Sequence, residues 1–336
     1  MKDYCDKVTE ELCKTGYNIS VNETKARIYM SKIYDMIIIG GGPAGYSAAL
    51  YASRAGLDVA VLEKMYAGGQ MTVTETIDNY PGFEEGIDGF SLGMKMQAGA
   101  ERFGAVTKYG EVISVELGGN IKRIVTTSEE YLARTVVIAT GADPRTLGID
   151  GEESMVGRGL HYCAHCDGRF YKGKTVVVVG GGNTAAEDAL YLSRLAEKVY
   201  LIHRRDSLKA TKIYHEPLVR AENIEIIPNS TVSGVRLDQK LESIVAKNLN
   251  DQTEREIAAD GLFVSIGRKP NTSLFEGQLE LDAGGYVIAD ETTKTSLGGV
   301  FAIGDVRTKA LRQVVTAVSD GAVAVHFAEE YIALEE

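Results

Sequence analysis

The sequence is poor in cysteine and proline, and its basic residues are outnumbered by acidic ones. Its 336 residues include four cysteines and six prolines, and the formal net charge is −11. Four cysteines in a chain of this length exclude a small secreted domain held together by disulfides. The acidic balance argues against a nucleic-acid-binding surface. The rest of the composition, 44% hydrophobic and 25% charged residues, is typical of a globular protein of about two domains.

The chain also lacks an apolar run that reads as a membrane span. Residues 36–53 are uncharged and long enough to raise the question of a span, but GGGPAG interrupts them and the residues on either side have different periods. Residues 1–30 carry charges throughout and lack the apolar core of a signal peptide. We therefore expect a cytoplasmic protein with no membrane partner.

A glycine-rich motif begins near residue 40. After the apolar stretch Ile33–Ile39, which predicts a buried strand, come a glycine-rich turn, a helical stretch and a second strand that ends in Glu63. The turn contains Gly40, Gly42 and Gly45. In this context the first glycine allows the tight turn, the second lets a pyrophosphate approach the helix N-terminus, and the third allows close packing of helix and strand. The pattern predicts a dinucleotide-binding unit.

The same pattern returns later in the chain, with Gly180, Gly182 and Ala185 at the same spacing. At the position that corresponds to Glu63, the second copy has His203. An acid there accepts hydrogen bonds from a ribose 2′-hydroxyl but repels a 2′-phosphate. The first copy therefore suits an unphosphorylated dinucleotide such as FAD.

Basic residues follow His203 in the second copy. Arg204 and Arg205 come next, and Lys209 lies four residues beyond them. A guanidinium group suits a phosphate dianion, so this copy suits NADPH. A solvated basic surface is the alternative interpretation of the two arginines.

A further repeat sets the domain order. Residues 135–144 and 261–270 each read as a buried strand followed by a glycine and then a proline. Residues 299–306 read as another buried strand with Asp305 at its carboxyl end, where open α/β sheets bind ligands, although a helix-capping aspartate is also compatible with this position. The motifs thus follow one another in the order FAD-type, NADPH-type and FAD-type. This order predicts an α/β fold with two Rossmann-like dinucleotide-binding domains, in which the NADPH/disulfide domain is inserted into the FAD domain.

The predicted bounds follow from that order. The FAD-binding domain comprises residues 31–144 and 274–332, and the NADPH-binding domain, which carries the cysteine pair, comprises residues 145–273. Residues 1–30 form an N-terminal extension, for which disorder is one alternative.

From about Ser31 to Ile332 the chain resembles the low-molecular-weight bacterial thioredoxin reductases. The residues that carry the resemblance are GGGPAG (40–45), GGQ (68–70), NYPG (79–82), ATGA (139–142), CAHCDG (163–168), GGGNTAAEDAL (180–190), HRRD (203–206), GVFAIGDV (299–306) and LRQV (311–314).

The resemblance implies a homodimeric flavoprotein whose two domains rotate between half-reactions. It would pass electrons from NADPH through FAD to a disulfide and on to thioredoxin or a related small redox protein. By the same resemblance, five further residues would contact FAD: Gln70, Asn79, Asp305, Arg312 and Gln313. Alternatives are a reductase of another redoxin or peroxiredoxin system, and a flavin-bound sensor without turnover.

The remaining question is what Cys163 and Cys166 do. A structural zinc site uses four ligands, usually from two separated segments, whereas the histidines and cysteines of HYCAHC are crowded together, so no metal is expected. The resemblance implies that Cys166 faces the flavin and Cys163 attacks thioredoxin. Asp167 is the candidate acid/base for the departing thiolates, with a turn or capping role as the alternative. We assign His161 to packing or hydrogen bonding and His165 to the exposed surface.

Overall fold

The computed structural model describes residues 32–335. The predicted N-terminal extension, with Cys5 and Cys13, lies outside the described residues. The described chain forms two compact units. The first comprises residues 32–67, 96–140 and 272–335, and the second comprises residues 68–95 and 141–271.

Strands and helices follow one another in chain order through both units. The elements up to residue 140 are β1 (Ile33–Ile39), α1 (Pro43–Arg54), β2 (Val59–Glu63), α2 (Gly89–Glu101), β3 (Val106–Tyr109), β4 (Val112–Glu116), β5 (Lys122–Thr126) and β6 (Glu130–Ile138). The next are β7 (Ala142–Pro144), α3 (Glu152–Met155), β8 (Leu160–His161), α4 (Ala164–Asp167), β9 (Thr175–Val179), α5 (Asn183–Ser193), β10 (Lys198–Ile202), α6 (His215–Arg220), β11 (Ile224–Ile227), β12 (Ser230–Leu237), β13 (Leu241–Asn248), β14 (Glu254–Ala258), β15 (Gly261–Val264) and β16 (Arg268–Pro270). The last are β17 (Val300–Ala302) and α7 (Val314–Glu335).

The first unit is built on a seven-stranded sheet in the order β3-β2-β1-β6-β5-β4, with β17 also paired to β6. Strands β3, β2, β1, β6 and β17 are parallel, whereas β4 and β5 are antiparallel to their neighbours. β6 has room for both β5 and β17, because β5 pairs along its first half and β17 along its last residues. The residues of β1 are almost all apolar and buried, as expected for a strand covered on both faces.

Helices α1 and α7 of the first unit pack closely through small residues. A Cβ atom added to Gly321 of α7 would lie 2.6 Å from the carbonyl oxygen of Ala44 and 2.7 Å from the amide nitrogen of Ala48. Both alanines belong to α1, so the glycine lets the two helix backbones approach each other. This contact holds α7 against the first turns of α1.

The second unit contains a five-stranded parallel sheet in the order β11-β10-β9-β15-β8. An antiparallel sheet of β12, β13 and β14 shares a hydrophobic core with it. The strands β7 and β16 form a two-stranded antiparallel ribbon. The predicted α/β class with Rossmann-like parallel sheets is confirmed.

The uncharged run at residues 36–53 is accounted for by a strand, a turn and a helix of the first unit. Among residues 32–335, no helix combines the length and the apolar character that a membrane crossing requires.

Candidate functional site

The motif residues of the first unit meet at one edge of its sheet. In the parallel register, Ile39 of β1 and Ala302 of β17 both pair with Ile138 of β6. Gly40 and the turn that contains Asp305 therefore follow strand ends on either side of the end of β6. The carboxyl edge of a parallel sheet is where such folds bind ligands.

Two of the three glycines in the first turn leave no space for a side chain. Gly40 has φ +108°, and a Cβ atom there would lie 2.5 Å from the carbonyl oxygen of Ala139. A Cβ on Gly45 would lie 2.0 Å from the carbonyl oxygen of Gly40. A Cβ on Gly42, the N-cap of α1, would meet no atom within 4 Å, and no side chain of residues 32–335 caps that helix end. The uncapped N–H groups beside open space fit a pyrophosphate.

The glycine geometry predicts two different mutant phenotypes. We expect Gly45→Ala to lower the free energy of unfolding by about 1–3 kcal/mol, because its methyl group overlaps backbone. We expect Gly42→Ala to unfold like the parent but to bind FAD less tightly, because its methyl group occupies the open space beside the helix end. Urea denaturation of the flavin-free proteins and a flavin titration separate the two effects. Equal stability losses in both variants would contradict this account.

Glu63 is held at the end of β2 by backbone amides. Its Oε2 atom accepts a hydrogen bond from the Gly41 amide at 2.7 Å, and Oε1 accepts one from the Lys64 amide at 2.8 Å. Oε1 also accepts a hydrogen bond from the Met65 amide at 3.2 Å. A carboxylate oxygen has two lone pairs, so Oε2 retains capacity for a ribose hydroxyl. The carboxylate is thus oriented beside the glycine turn before any ligand binds.

Asp305 does not end a strand, which corrects the prediction that residues 299–306 form one strand. β17 ends at Ala302, and Asp305 lies in a short 3₁₀ turn, Gly304–Val306. The alternative of a helix-capping role for Asp305 is also wrong for α7, which begins only at Val314. The turn remains at the carboxyl edge because β17 pairs in register with β6.

Arg312 organises the segment that follows this turn. Its guanidinium donates to the carbonyl oxygens of Asp305 at 3.3 Å and Arg307 at 3.1 Å, and it lies over the ring of Tyr286 at 4.1 Å. The amide of Gln313 donates to Thr316 at 3.1 Å. In this structure Arg312 binds its own loop, which fixes the backbone around Asp305.

A buried ion cluster connects α7 to the turn that contains Asp305. Asp320 accepts hydrogen bonds from Arg307 at 2.7 and 2.9 Å, from Lys309 at 2.8 Å and from the Gly304 amide at 2.9 Å. Burial by itself raises the pKa of the Asp320 carboxyl, but the hydrogen bonds and charges of Arg307 and Lys309 outweigh burial and lower it. The carboxylate therefore stays ionised and paired at neutral pH.

We expect Asp320→Asn to lower the free energy of unfolding at pH 7 by about 3–5 kcal/mol, because it leaves two buried cations without a carboxylate. The folded pKa of Asp320 lies below the unfolded value of about 4, so the stabilisation is present above that pH and is lost as pH falls. Denaturation at several pH values should show the variant approaching the parent in acid. Glu330→Gln, an exposed carboxylate on the same helix, is the control. A variant deficit independent of pH would contradict the prediction.

Gln70 and Asn79, the other predicted FAD contacts, belong to the second unit. The Gln70 amide donates to the Ala142 carbonyl at 2.6 Å and to the Asp143 carboxylate at 2.8 Å, and its oxygen accepts from Arg268 at 2.8 Å. Its polar atoms thus bind the ribbon of β7 and β16.

The second glycine turn repeats the geometry of the first. A Cβ atom on Gly180 would lie 2.3 Å from the Ser265 carbonyl oxygen and 2.8 Å from the Ala185 Cβ, whereas one on Gly182 would meet nothing within 4 Å. Gly182 precedes α5, and no described side chain caps this helix. The turn therefore also fits a pyrophosphate.

The basic residues beyond β10 differ in exposure. His203 is buried, burial lowers its pKa, and its Nδ1 atom has no partner among residues 32–335. Arg204, Arg205 and Lys209 are exposed, and the described chain offers none of them a carboxylate partner. The structure thus presents three unpaired cations beside one neutral imidazole.

The cysteine pair follows a strand of the same sheet that carries this second turn. Cys163 and Cys166 form a disulfide with a Cα–Cα distance of 5.3 Å, and both are half-buried. They follow β8, whose residue His161 pairs with Phe263 of β15. The Cys166 amide donates to the Cys163 sulfur at 3.2 Å. An amide aimed at this sulfur favours its thiolate form after reduction.

Asp167 contacts a buried histidine. Its Oδ2 atom lies 3.0 Å from His161 Nδ1, and His161 Nε2 lies 2.6 Å from the hydroxyl of Tyr171. The side chain of Asp167 does not cap the 3₁₀ turn Gly168–Tyr171 that follows, so the capping alternative is wrong. Tyr171 was not predicted as a site residue from the sequence. The only signal for it is an aromatic residue four positions after Asp167.

A metal site was not expected from the sequence. Among residues 32–335, no group of three or more His, Cys, Asp or Glu side chains is arranged to hold a metal ion.

Two glycine turns that fit a pyrophosphate, together with a closely spaced disulfide, are the features of a pyridine nucleotide-disulphide oxidoreductase. The family of that description matches residues 34–321. The thioredoxin reductase of Listeria innocua is 45% identical to the chain over 302 residues, covering 90% of this chain and 94% of the relative. The chain belongs to the thioredoxin reductase family, and the family predicted from its sequence is confirmed.

Solved structures show the same relationship. A thioredoxin reductase from Streptococcus pyogenes has 42% identity and a TM-score of 0.84, and covers 90% of this chain and 99% of its own. One from Giardia duodenalis has 38% identity and a TM-score of 0.85, and covers 90% of this chain and 100% of its own. The chain is therefore an oxidoreductase of the thioredoxin reductase type.

Proposed function

We propose that the protein uses FAD and NADPH to reduce thioredoxin through the Cys163–Cys166 disulfide. The observation that carries the proposal is the placement of this disulfide and a phosphate-compatible glycine turn on one parallel sheet. Membership of the thioredoxin reductase family supports thioredoxin as the partner. We also propose that the protein is a homodimer in the cytoplasm. Its domains have the bounds predicted from the sequence and rotate between half-reactions.

FAD, when bound, accepts a hydride from NADPH and supplies two electrons to a disulfide. Gly40, Gly42 and Gly45 would hold its pyrophosphate, and Glu63 would accept hydrogen bonds from its ribose. Five further residues, Gln70, Asn79, Asp305, Arg312 and Gln313, are proposed contacts, and Arg312 also fixes the loop around Asp305.

The second unit would bind NADPH in the equivalent way. Gly180, Gly182 and Ala185 would form the pyrophosphate turn, and the cations of Arg204, Arg205 and Lys209 would meet the 2′-phosphate. The neutral, buried ring of His203 contributes a hydrogen-bonding nitrogen beside the turn and no charge.

The cysteines would carry the exit of electrons to protein. In the reduced form, the Cys163 thiolate attacks a disulfide of thioredoxin, and one thioredoxin sulfur leaves as a thiolate that takes a proton from Asp167. The Asp167 carboxylate then accepts the proton of the Cys166 thiol. The Cys166 thiolate attacks the Cys163 sulfur, which re-forms the disulfide and releases the second thioredoxin sulfur, and Asp167 supplies its proton.

The test is to compare partners. Purified flavin-loaded protein should oxidise NADPH steadily when oxidised thioredoxin is supplied. It should do so at least about tenfold more slowly, a difference of 1.4 kcal/mol in the barrier, with a glutaredoxin-like protein or a peroxiredoxin. A preference for either of those partners would overturn the thioredoxin assignment and favour another redox system.

A further inference from the structure

Two side chains behind Asp167 have no part in the reaction as described so far. His161 and Tyr171 are both buried, and they connect end to end with Asp167 through the hydrogen bonds of 3.0 and 2.6 Å. The three residues form a continuous line from the interior of the second unit to the acid beside Cys166.

The surrounding core holds the imidazole ring in a single orientation. Phe263 stacks on it at 5.3 Å between ring centroids, and Tyr171 meets it edge-on at 5.3 Å. A Cβ atom on Gly261 would lie 2.5 Å from the Tyr171 ring, so only glycine at the start of β15 admits this tyrosine. Packing thus fixes Tyr171 and His161, the two inner residues of the line.

The hydrogen bonds have one consistent direction. Burial first, and the charge of Asp167 second, raise the pKa of Tyr171 to about 12, so its phenol stays protonated at working pH. The Tyr171 hydroxyl is then the donor to Nε2 of His161. The imidazole proton then sits on Nδ1 and is donated to Oδ2 of Asp167.

We infer that His161 is a positioning residue for the cysteine chemistry: Tyr171 holds it in the Nδ1–H tautomer, and it orients Asp167 as the acid/base of the pair. Because Nδ1–H occupies Oδ2, the acidic proton of Asp167 is carried on Oδ1. That is the proton given to each departing thioredoxin thiolate. The inference deepens the proposed function and rests on it.

The expected effects follow from this geometry. Asp167→Ala removes the acid/base, and we expect the transfer from the reduced cysteines to thioredoxin to slow by about 10²–10⁴-fold. His161→Phe retains an apolar ring against Phe263 but frees the carboxylate, and should slow the same step by about 10- to 100-fold. Tyr171→Phe removes only the hydroxyl that fixes the tautomer and should slow it by about three- to tenfold.

Rapid mixing of the pre-reduced holoenzyme with oxidised thioredoxin measures this step. The decisive comparison is a double-mutant cycle. If His161 acts through Asp167, His161→Phe with Asp167→Ala should be no slower than Asp167→Ala alone. Independent, multiplying losses would overturn the inference, because they would mean that His161 acts without Asp167.

Tyr162→Phe is the matched control for Tyr171→Phe. Tyr162 adjoins Cys163, and its hydroxyl donates to Glu152 at 2.8 Å, which lies outside the line. We expect transfer at the parental rate in this control and parental rates of flavin reduction by NADPH in every variant. If His161→Phe fails to fold, Tyr171→Phe carries the test, and a parental transfer rate in it overturns the inference.

A spectroscopic measurement tests the tautomer without turnover. In protein labelled with ¹⁵N at histidine, the His161 signals of the parent should report Nδ1–H, and those of Tyr171→Phe should shift towards a mixture. An Nε2–H signal in the parent would overturn the inference. A parent enzyme that does not reduce thioredoxin would instead overturn the proposed function, so the two failures are distinguishable.

Discussion

Replacing either cysteine by serine will stop thioredoxin reduction and leave the flavin reducible by NADPH. Hydride transfer to a flavin involves no sulfur, whereas the exit of electrons to protein requires both Cys163 and Cys166, which form the disulfide beyond β8. We expect a loss on the order of 10⁴-fold or more, as for removal of a nucleophile in other enzymes. The measurements are the anaerobic rate of flavin bleaching by NADPH and the steady-state rate of thioredoxin reduction.

Cys5→Ser and Cys13→Ser are the matched controls, since they remove thiols outside the pair, and both should retain parental rates. A Cys163→Ser or Cys166→Ser variant that reduces thioredoxin at near the parental rate would show that electrons leave the protein by another route. Slow flavin bleaching in the serine variants would show that the substitution has damaged the fold.

The double variant Arg204→Ala with Arg205→Ala will lose its preference for NADPH over NADH. The two cofactors differ by one 2′-phosphate, and these exposed guanidinium groups have no carboxylate partner among residues 32–335. A hydrogen bond to a charged group contributes about 1.5–3 kcal/mol, so each arginine accounts for about 10- to 100-fold in kcat/KM for NADPH. We expect a combined loss of about 100-fold or more, with NADH little changed.

Arg220→Ala is the control for this pair, because Arg220 is another exposed arginine of the same unit, and its guanidinium pairs with Glu216. It should leave both cofactors unaffected, and Lys209→Ala should reduce kcat/KM for NADPH less than either arginine does. An unchanged ratio of the two kcat/KM values in the double variant would mean that the arginines are a solvated face.

Local chemistry explains why much of the fold was predictable. The first glycine turn is specified largely by neighbours in sequence, because Gly45 must leave room for the carbonyl oxygen of Gly40 and Gly40 itself adopts a positive φ. The apolar runs of β1 and β9 likewise identify buried parallel strands without knowledge of their partners. The pairing of the two cysteines could be predicted because they lie within one turn of chain.

The contacts that sequence reasoning missed depend on tertiary pairing. His161 reaches Tyr171 because β8 pairs with β15 and because Gly261 leaves room for the ring. Asp320 meets Arg307 only when α7 packs back over the turn after β17. Neither the spacing of His161 and Tyr171 nor that of Asp320 and Arg307 follows a helix or strand period that would predict the contact from the sequence. The shortened β17 has a related cause, since the chain turns into Gly304–Val306 once its pairing with β6 ends.

The central claim is that two electrons from each NADPH leave through the Cys163–Cys166 pair to thioredoxin. The most direct measurement is an anaerobic count of thioredoxin thiols formed against NADPH consumed, for the flavin-loaded parent and for Cys166→Ser. The account predicts two thiols for each NADPH in the parent and none in the variant. NADPH consumption by the parent without new thioredoxin thiols, or equal thiol formation by the variant, would contradict it.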